Sequence, residues 1–310
     1  MKYLVTGGFG FIGSHLVEEL VSNGHKVTAF DNLSNGQIRN LDGVKNEITS
    51  YISNVEQIRQ TYFGESFDGI FHLATAPRSS SLDDPMRDIE TNCKGMIAVL
   101  ELAKNHLAKV VFTSNSGIYG SKDDGSAIDE NSAINPTTPY DANKLVSEYY
   151  CSIYHKIHSV RSVVLRLVTV YGERQKVNEK LNWRPLVTTL AKNMVNDEQV
   201  VIDGDGKQTR DLVYVKDVVR GIIKAMDSSI DNADIFLLST NKETSVNQVL
   251  HAVEDIVGKK ANPLYGPTLK GDIRRMRYSY TKAKSKLGFE PKFDLHDGIR
   301  KLVDYIQKNK

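Results

Sequence analysis

A chain of 310 residues, 40% apolar and 25% charged, is long enough for one large domain or two modest ones around a substantial core. Its 40 basic and 38 acidic residues leave a net charge of +2, so the whole molecule carries no electrostatic footprint for nucleic acid or an anionic membrane. Two cysteines, Cys93 and Cys151, exclude a disulfide framework, and no apolar run reaches the ~20 residues that span a bilayer.

In chain order, Tyr3-Leu4-Val5 is a short apolar strand that stops at Thr6-Gly7-Gly8. Met1-Lys2 runs straight into it without the apolar stretch and cleavage site of a secretory signal, so the expected compartment is the cytoplasm. A helix follows with Ile12, Leu16, Val17, Leu20 and Val21 on one face, and Gly24 stops it. Lys26 to Phe30 is the next strand, ending at Asp31. Further strands are expected at Gly69 to Leu73, Lys109 to Thr113 and Val163 to Leu167, with helices near 86–106 and 140–157 between them. Apolar strands separated by helices of this length predict a Rossmann-type, doubly wound α/β fold with a parallel sheet and right-handed crossovers.

After residue 168 loop residues become commoner. Val215 to Met226 and Ile235 to Ser239 still read as a covering helix and sheet, Ser245 caps a helix from Val246 to Val257 that ends at Gly258, and an amphipathic helix fills 296–307. The expected organisation is a dinucleotide-binding domain over 1–168, with 212–240 returning to it, and a smaller interleaved C-terminal substrate domain over 169–310.

The segment Gly7-Gly8-Phe9-Gly10-Phe11-Ile12-Gly13 places Gly7, Gly10 and Gly13 at Gly-x-x-Gly-x-x-Gly spacing, directly after a strand and opening a helix. Such a turn needs backbone that only glycine adopts freely, and a pyrophosphate must approach that backbone closely. The N–H groups that open the helix then face the phosphate. A glycine trio alone also fits a tight turn with no ligand. The strand before it, the helix after it and Asp31 at the end of the second strand complete the dinucleotide fingerprint. An acid there accepts hydrogen bonds from the adenosine ribose and repels a 2′-phosphate, so NAD is the expected cofactor, although Asp31 could instead simply begin the turn Asp31-Asn32-Leu33-Ser34.

Tyr140-Asp141-Ala142-Asn143-Lys144 puts a phenol and an ammonium four residues apart on one helix face. Free tyrosine, with a pKa of about 10, is a poor base at neutral pH, and a neighbouring lysine charge favours the phenolate. Tyr140 could then take a proton from a sugar hydroxyl while hydride leaves for the cofactor. The same pair on a surface helix would be an inconsequential stack. The 8 histidines form no cluster with ligand spacing, so no metal is expected.

The glycine loop, the segment Asp31-Asn32-Leu33-Ser34-Asn35-Gly36, Asn92, Tyr140 with Lys144, and Gly204-Asp205-Gly206-Lys207-Gln208-Thr209-Arg210-Asp211 together resemble the extended short-chain dehydrogenase/reductase family. Within it the chain looks like the nucleotide-sugar epimerases typified by UDP-glucose 4-epimerase. The resemblance implies that Asp31, Asn32, Ser34, Asn35 and Gly36 hold the adenosine ribose and nearby phosphate, and that Leu73, Ala74 and Thr75 line the cofactor cleft. It implies that Asn92 orders the active site, that Lys144 bonds the nicotinamide ribose, and that Arg210 grips the nucleotide diphosphate, with Arg78, Thr169 and Arg275 also on the substrate. A loop ion pair with Asp205 or Asp211 is the alternative for Arg210. It also implies a UDP-sugar or other NDP-sugar as substrate, and a homodimer built by pairing the helices near 86–106 and 140–157 across a two-fold axis.

The sequence departs from the family pattern at particular positions. The usual catalytic serine or threonine aligns with Asn115, flanked by Ser114 and Ser116, either of which could take over. An amide donates a hydrogen bond but cannot relay a proton as a hydroxyl does. Tyr51 stands where relatives carry an acid facing the adenine, Thr169 where they often carry asparagine, and Gly271-Asp272-Ile273-Arg274-Arg275-Met276 shifts the arginines. No Asp or Glu stands at Ser116, Gly117 or Ile118, just before Tyr119-Gly120, where related dehydratases and decarboxylases usually carry one. The expected reaction is therefore C4 epimerisation through a 4-keto sugar. A dehydratase or decarboxylase of the same fold, a net dehydrogenase on a small carbonyl compound, or a non-catalytic NAD-binding protein are the alternatives.

Overall fold

The computed structural model describes residues 1–61, 63–120, 125–177, 184–268 and 274–310. The elements run β1 (Lys2–Thr6), α1 (Phe11–Ser22), β2 (Lys26–Asp31), β3 (Ile48–Ile52), β4 (Gly69–His72), α2 (Pro85–Asp88), α3 (Gly95–His106), β5 (Lys109–Asn115), α4 (Pro139–His158), β6 (Ser162–Leu167) and β7 (Thr169–Tyr171). They continue with α5 (Leu186–Val195), β8 (Val201–Asp203), β9 (Thr209–Arg210), β10 (Leu212–Tyr214), α6 (Val215–Asp227), β11 (Asn232–Leu238), β12 (Thr244–Ser245), α7 (Val246–Val257), β13 (Leu264–Gly266), α8 (Thr281–Leu287) and α9 (Leu295–Lys308). None of the described helices is long and apolar enough to cross a membrane.

The chain divides into two compact units. The first comprises Met1–Ile118, Pro136–Leu167 and Val219–Phe236. It is the expected doubly wound sheet, in the order β11-β6-β5-β4-β1-β2-β3, with parallel pairing at each step from β3 to β6. The strand order reverses at β1, and such a switch point opens a crevice at the carboxyl ends of the strands. The register aligns those ends, because Thr6 pairs with both Phe30 and His72, and His72 with Phe112. The glycine loop, Asp31, Leu73 to Thr75 and Asn115 consequently leave the same edge of the sheet. Beneath it, Leu4, Phe30, Ile70, Val110 and Val164 pack with Met96, Val99 and Leu100 of α3. Each fully buried side chain of this kind stabilises the fold by about 1.5–3 kcal/mol.

Two features of this unit differ from the sequence expectation. β3, which the residues do not announce, joins as an edge strand whose Thr49, Ser50 and Ile52 are exposed. The helix expected over 86–106 is interrupted: α2 and α3 are joined by a π-helical turn, Ile89–Lys94, that carries Asn92.

The second unit comprises Tyr119–Asn135, Val168–Val218 and Leu237–Lys310. Among the described residues it holds three small sheets, β7 with β10, β9 with β12, and β8 with β13, together with helices α5, α7 and α9 packed on one another. Ser245 and Gln248 close a reciprocal capping box at the start of α7, and Gly258 ends that helix at φ +75°. The buried Asp211 ties the unit together by accepting from Thr240 N and Oγ1, Asn241 N and Tyr278 N. Burial raises its pKa to about 6 against the pull of those donors.

Candidate active site

The glycine loop is built for close approach. Gly7 has φ +71°, and a Cβ there would stand 2.8 Å from Ala74 N, while a Cβ on Gly13 would collide with Gly7 O. At Gly10 a Cβ would meet only Gly7 O, at 3.1 Å. Gly10 caps α1 without any side-chain hydrogen bond, and the first turn of that helix holds no acid. Phe11 and Ile12, half-buried, start the helix, whose opening N–H groups and positive dipole end suit a pyrophosphate.

Asp31 is buried and fixes the neighbouring turn. Its Oδ2 accepts from Phe9 N of the glycine loop at 3.1 Å, and its Oδ1 from Leu33 N at 2.7 Å. Asn32 Oδ1 accepts from Ser34 N at 2.9 Å and Asn32 Nδ2 donates to Asn54 Oδ1 at 2.9 Å. Gly36 lies so near the carboxylate that a Cβ would come 3.0 Å from Asp31 Oδ2. This cradle of backbone N–H groups beside a buried acid fits the diphosphate and ribose of a dinucleotide, and the residues from Gly7 to Gly36 would hold it. Tyr51 packs edge-on against Phe63, with ring centroids 5.0 Å apart.

Thr138 and Pro139 start α4, Thr138 Oγ1 accepting from Asp141 N at 3.2 Å. That places Tyr140 in the first turn and Lys144 one turn on. Lys144 is buried, its Nζ donates to Thr113 O at 3.1 Å, and it lies 5.7 Å from the centre of the Tyr140 ring. Burial lowers its pKa to about 8, against the raising effect of Asp88 and Glu148. The Tyr140 phenol is raised by burial, and to a lesser degree by Asp141 and Asp88, while hydrogen bonding from Thr75 and Asn115 pulls it down. The neighbouring His72 is pushed down to about 3 by burial, so it stays neutral, with Nδ1 2.8 Å from Thr6 Oγ1.

The residues around this pair are committed in specific ways. Ser114 Oγ donates to Glu148 Oε1 at 2.5 Å, and Glu148 also receives Arg166 Nε at 3.0 Å and Nη2 at 2.6 Å. Asn115 Nδ2 donates to Asp141 Oδ1 at 3.2 Å and its Oδ1 accepts from Ile118 N at 3.2 Å. Ser116 is buried in the turn that follows β5. Arg78, expected on substrate, makes a two-pronged ion pair with the buried Asp141, Nε to Oδ1 at 3.1 Å and Nη2 to Oδ2 at 2.9 Å. Thr75 Oγ1 donates to Asn92 Oδ1 at 2.8 Å, and Leu73 N and Ala74 N bond to Thr6 at O and Oγ1. The structure thus brings Thr75, Asn92, Asn115, Tyr140 and Lys144 together within the first unit. Asp141, unmarked in the sequence reading, is central to that cluster. The signal available was its place in Thr138-Pro139-Tyr140-Asp141, the third helical position after a capping threonine.

In the second unit, Thr169 opens β7 and pairs with Leu212, its N–H donating to Asp211 O at 3.2 Å. Arg210 lies on β9 and its Nη1 donates to Thr209 O at 2.8 Å. The two acids considered as its partners are engaged elsewhere, Asp205 in a two-pronged pair with Arg274 and Asp211 with backbone donors. Arg275 forms a two-pronged pair with Glu243 at 2.9 and 2.7 Å. Gly271, Asp272 and Ile273 lie outside the described residues.

Comparison with known proteins matches residues 3–238 to the model of the NAD dependent epimerase/dehydratase family. UDP-glucose 4-epimerase of Mycolicibacterium smegmatis is 32% identical over 319 residues, 99% of this chain and 99% of its own. UDP-glucuronic acid decarboxylase 1 of Xenopus tropicalis is 30% identical over 312 residues, 99% of this chain and 72% of its own. The crystal structure of UDP-glucose 4-epimerase with UDP-glucose from Thermotoga maritima superimposes with a TM-score of 0.93 at 36% identity, covering 100% of this chain and 99% of that one.

Proposed function

This chain belongs to the NAD-dependent epimerase/dehydratase family, and from that premise we propose that it inverts the C4 hydroxyl of a UDP-sugar through a transient 4-keto sugar. The observation that carries the reading is the state of the carboxylates around the Tyr140–Lys144 pair. Those whose charges act on the pair are Asp88, Asp141 and Glu148. Asp141 accepts Arg78 and Asn115, and Glu148 accepts Arg166 and Ser114, while the fully buried Asp88 accepts Asn143 at Oδ1 and its Oδ2 has no hydrogen-bond partner among the described residues. Elimination of water or loss of a carboxylate calls for a further acid–base group facing the sugar, whereas epimerisation needs one proton carrier.

In this reading the glycine loop and Asp31 hold NAD, which when bound supplies reversible hydride transfer at C4. Lys144 keeps a positive charge beside Tyr140 and favours the phenolate. Tyr140 Oη takes the proton from the 4-hydroxyl and returns it after the sugar has turned its other face. Arg210 is assigned to the nucleotide diphosphate, a role suited to a planar guanidinium, with Thr169 and Arg275 in support. A homodimer is part of the same proposal: Val146, Tyr149, Ile153 and Ile157 make an exposed apolar stripe along α4.

The test is incubation with UDP-glucose, UDP-N-acetylglucosamine and UDP-glucuronate in the presence of NAD, each followed by NMR. Appearance of a C4 epimer without net NADH is the expected result. In Tyr140→Phe the rate should drop by about 10²–10⁴-fold with the fold retained. An unsaturated, keto or pentose product would replace epimerisation with dehydration or decarboxylation.

A further inference from the structure

In the second unit Arg210 and Arg275 lie on neighbouring extended segments, and Arg275 is seated in a socket. Thr209 N donates to Arg274 O at 3.0 Å and Met276 N to Thr209 Oγ1 at 3.4 Å, so residues 274–276 run beside β9. β9 also pairs with β12, where Thr244 stands opposite Arg210. Glu243, the residue before β12, reaches Arg275 from there. Its Oε1 accepts from Arg275 Nε at 2.9 Å and its Oε2 from Nη2 at 2.7 Å, while Thr209 Oγ1 donates to Oε1 at 3.3 Å. The guanidinium also lies against Gly125, where a Cβ would come 2.6 Å from Nη1, 3.1 Å from Cζ and 3.2 Å from Nη2. Gly125 has φ +75°, backbone that glycine adopts without strain, and its O accepts from Arg277 Nη2 at 3.2 Å.

We propose that Glu243 and Gly125 are positioning residues that preset Arg275 for the diphosphate of a nucleotide sugar. The inference rests on the assignment of Arg275 to that diphosphate. A guanidinium carries its N–H groups in one plane, so a two-pronged partner on one side of the fork fixes the direction of the rest. Glu243 sets that plane, and the missing Cβ at Gly125 lets the backbone close against it. Thr209 buttresses the carboxylate from the position next to Arg210, so β9 holds the two arginines in register. The Arg275 side chain is 45% exposed and Glu243 22%, which leaves the cation the more accessible of the two. Its guanidinium holds the Glu243 carboxyl below the usual carboxylate range, so the socket is charged at neutral pH. An unseated arginine loses its rotamer freedom when an anion binds, whereas this one has lost it beforehand.

The test is calorimetric titration of UDP into the full chain. Glu243→Ala and Gly125→Ala are each made alone and in an Arg275→Met background. Alone, each should weaken UDP binding by roughly threefold to tenfold, the cost of ordering one long side chain at binding. Arg275→Met should weaken it at least as much, and neither further substitution should then change it appreciably. Losses that persist undiminished in the Arg275→Met background would mark a general disturbance of the unit and overturn the proposal. Unchanged UDP binding in either folded single variant would overturn it too. So would tighter binding in Glu243→Ala, which would make the carboxylate a competitor of the ligand. If Gly125→Ala does not fold, the Glu243 cycle decides alone. Should Arg275→Met, or a wild type that binds no UDP, show that Arg275 has no part in holding a diphosphate, the assignment beneath the inference fails. Should Arg275→Met weaken binding while Glu243→Ala does not, that assignment stands and the socket alone is lost.

Discussion

Helix α4 carries two buried carboxylate–guanidinium pairs seven residues apart, and they are built for different purposes. At Glu148 both partners are sunk in the core, the side chains of Arg166 and Glu148 being 2% and 3% exposed. At Asp141 the carboxylate is 0% exposed but Arg78 keeps 42% of its side chain in solvent. Each pair takes its third member from consecutive β5 residues, Ser114 for Glu148 and Asn115 for Asp141. Their electrostatic effects also divide. Glu148 supports the charge on Lys144, whereas Asp141 opposes ionisation of Tyr140. The inner pair clamps helix to sheet, and the outer pair trims the environment of the phenol from a position water can reach.

The largest effect should come from breaking the inner pair. Arg166→Met leaves a buried carboxylate without its cation and should cost about 3–5 kcal/mol in denaturant unfolding. Adding Glu148→Leu should recover most of that loss, because removing both charges relieves the desolvation of each. If the single and double variants unfolded alike, the clamp would lie elsewhere. The outer pair should behave in the opposite sense. Arg78→Met should cost only about 1 kcal/mol of stability, since water replaces a half-exposed guanidinium. It should nevertheless slow turnover by roughly tenfold, through the freed Asp141 beside Tyr140. An Arg78 variant that lost stability but kept its rate would make the two pairs equivalent.

How far this contrast was legible in the sequence follows from the range of the interactions. The strand–helix alternation, the glycine loop and the Tyr140–Lys144 spacing are local patterns, so they could be read from adjacent residues. Arg78 and Asp141 are 63 residues apart and Ser114 and Glu148 are 34 apart, so a single sequence gives no distance between them. Ser114 accordingly read as a spare hydroxyl for chemistry, whereas the structure uses it in the core. β3 lacked a signal because its Ile48-Thr49-Ser50-Tyr51-Ile52 run sits at the sheet edge and need not bury a continuous apolar face. The π turn at Ile89–Lys94 was hidden for another reason. One extra residue in a helix leaves side-chain types unchanged and shifts only their phase.

The dimer proposal gives a prediction confined to the far end of the same helix. Ile153→Asp on the exposed stripe of α4 should convert a dimer to a monomer in sedimentation while leaving the unfolding midpoint of the monomer within about 0.5 kcal/mol of equivalence. A wild type that sediments as a monomer at high concentration would exclude the stripe as a dimer interface.

The smallest effect, and the one that separates the two carboxylates most directly, is the pH response at Lys144. Its folded pKa, lowered to about 8 by burial, lies below the unfolded value of 10.5. Between those values the unfolded chain holds the extra proton, so stability contributed by this group rises with pH, by under about 1 kcal/mol from pH 7 to 8.5. Turnover should move the other way, falling as pH rises through about 8, because the charge that favours the Tyr140 phenolate is lost. Subtracting the stability profile of Lys144→Met removes the parallel contribution of Lys109, which burial also lowers to about 8. Glu148→Gln should shift the activity limb to lower pH by withdrawing a charge that supports Lys144. Asp141→Asn should leave that limb in place and instead ease ionisation of Tyr140. If both substitutions moved the same limb, the division of labour along α4 would collapse into a single shared field, with Asp88, which acts on both groups, as its source.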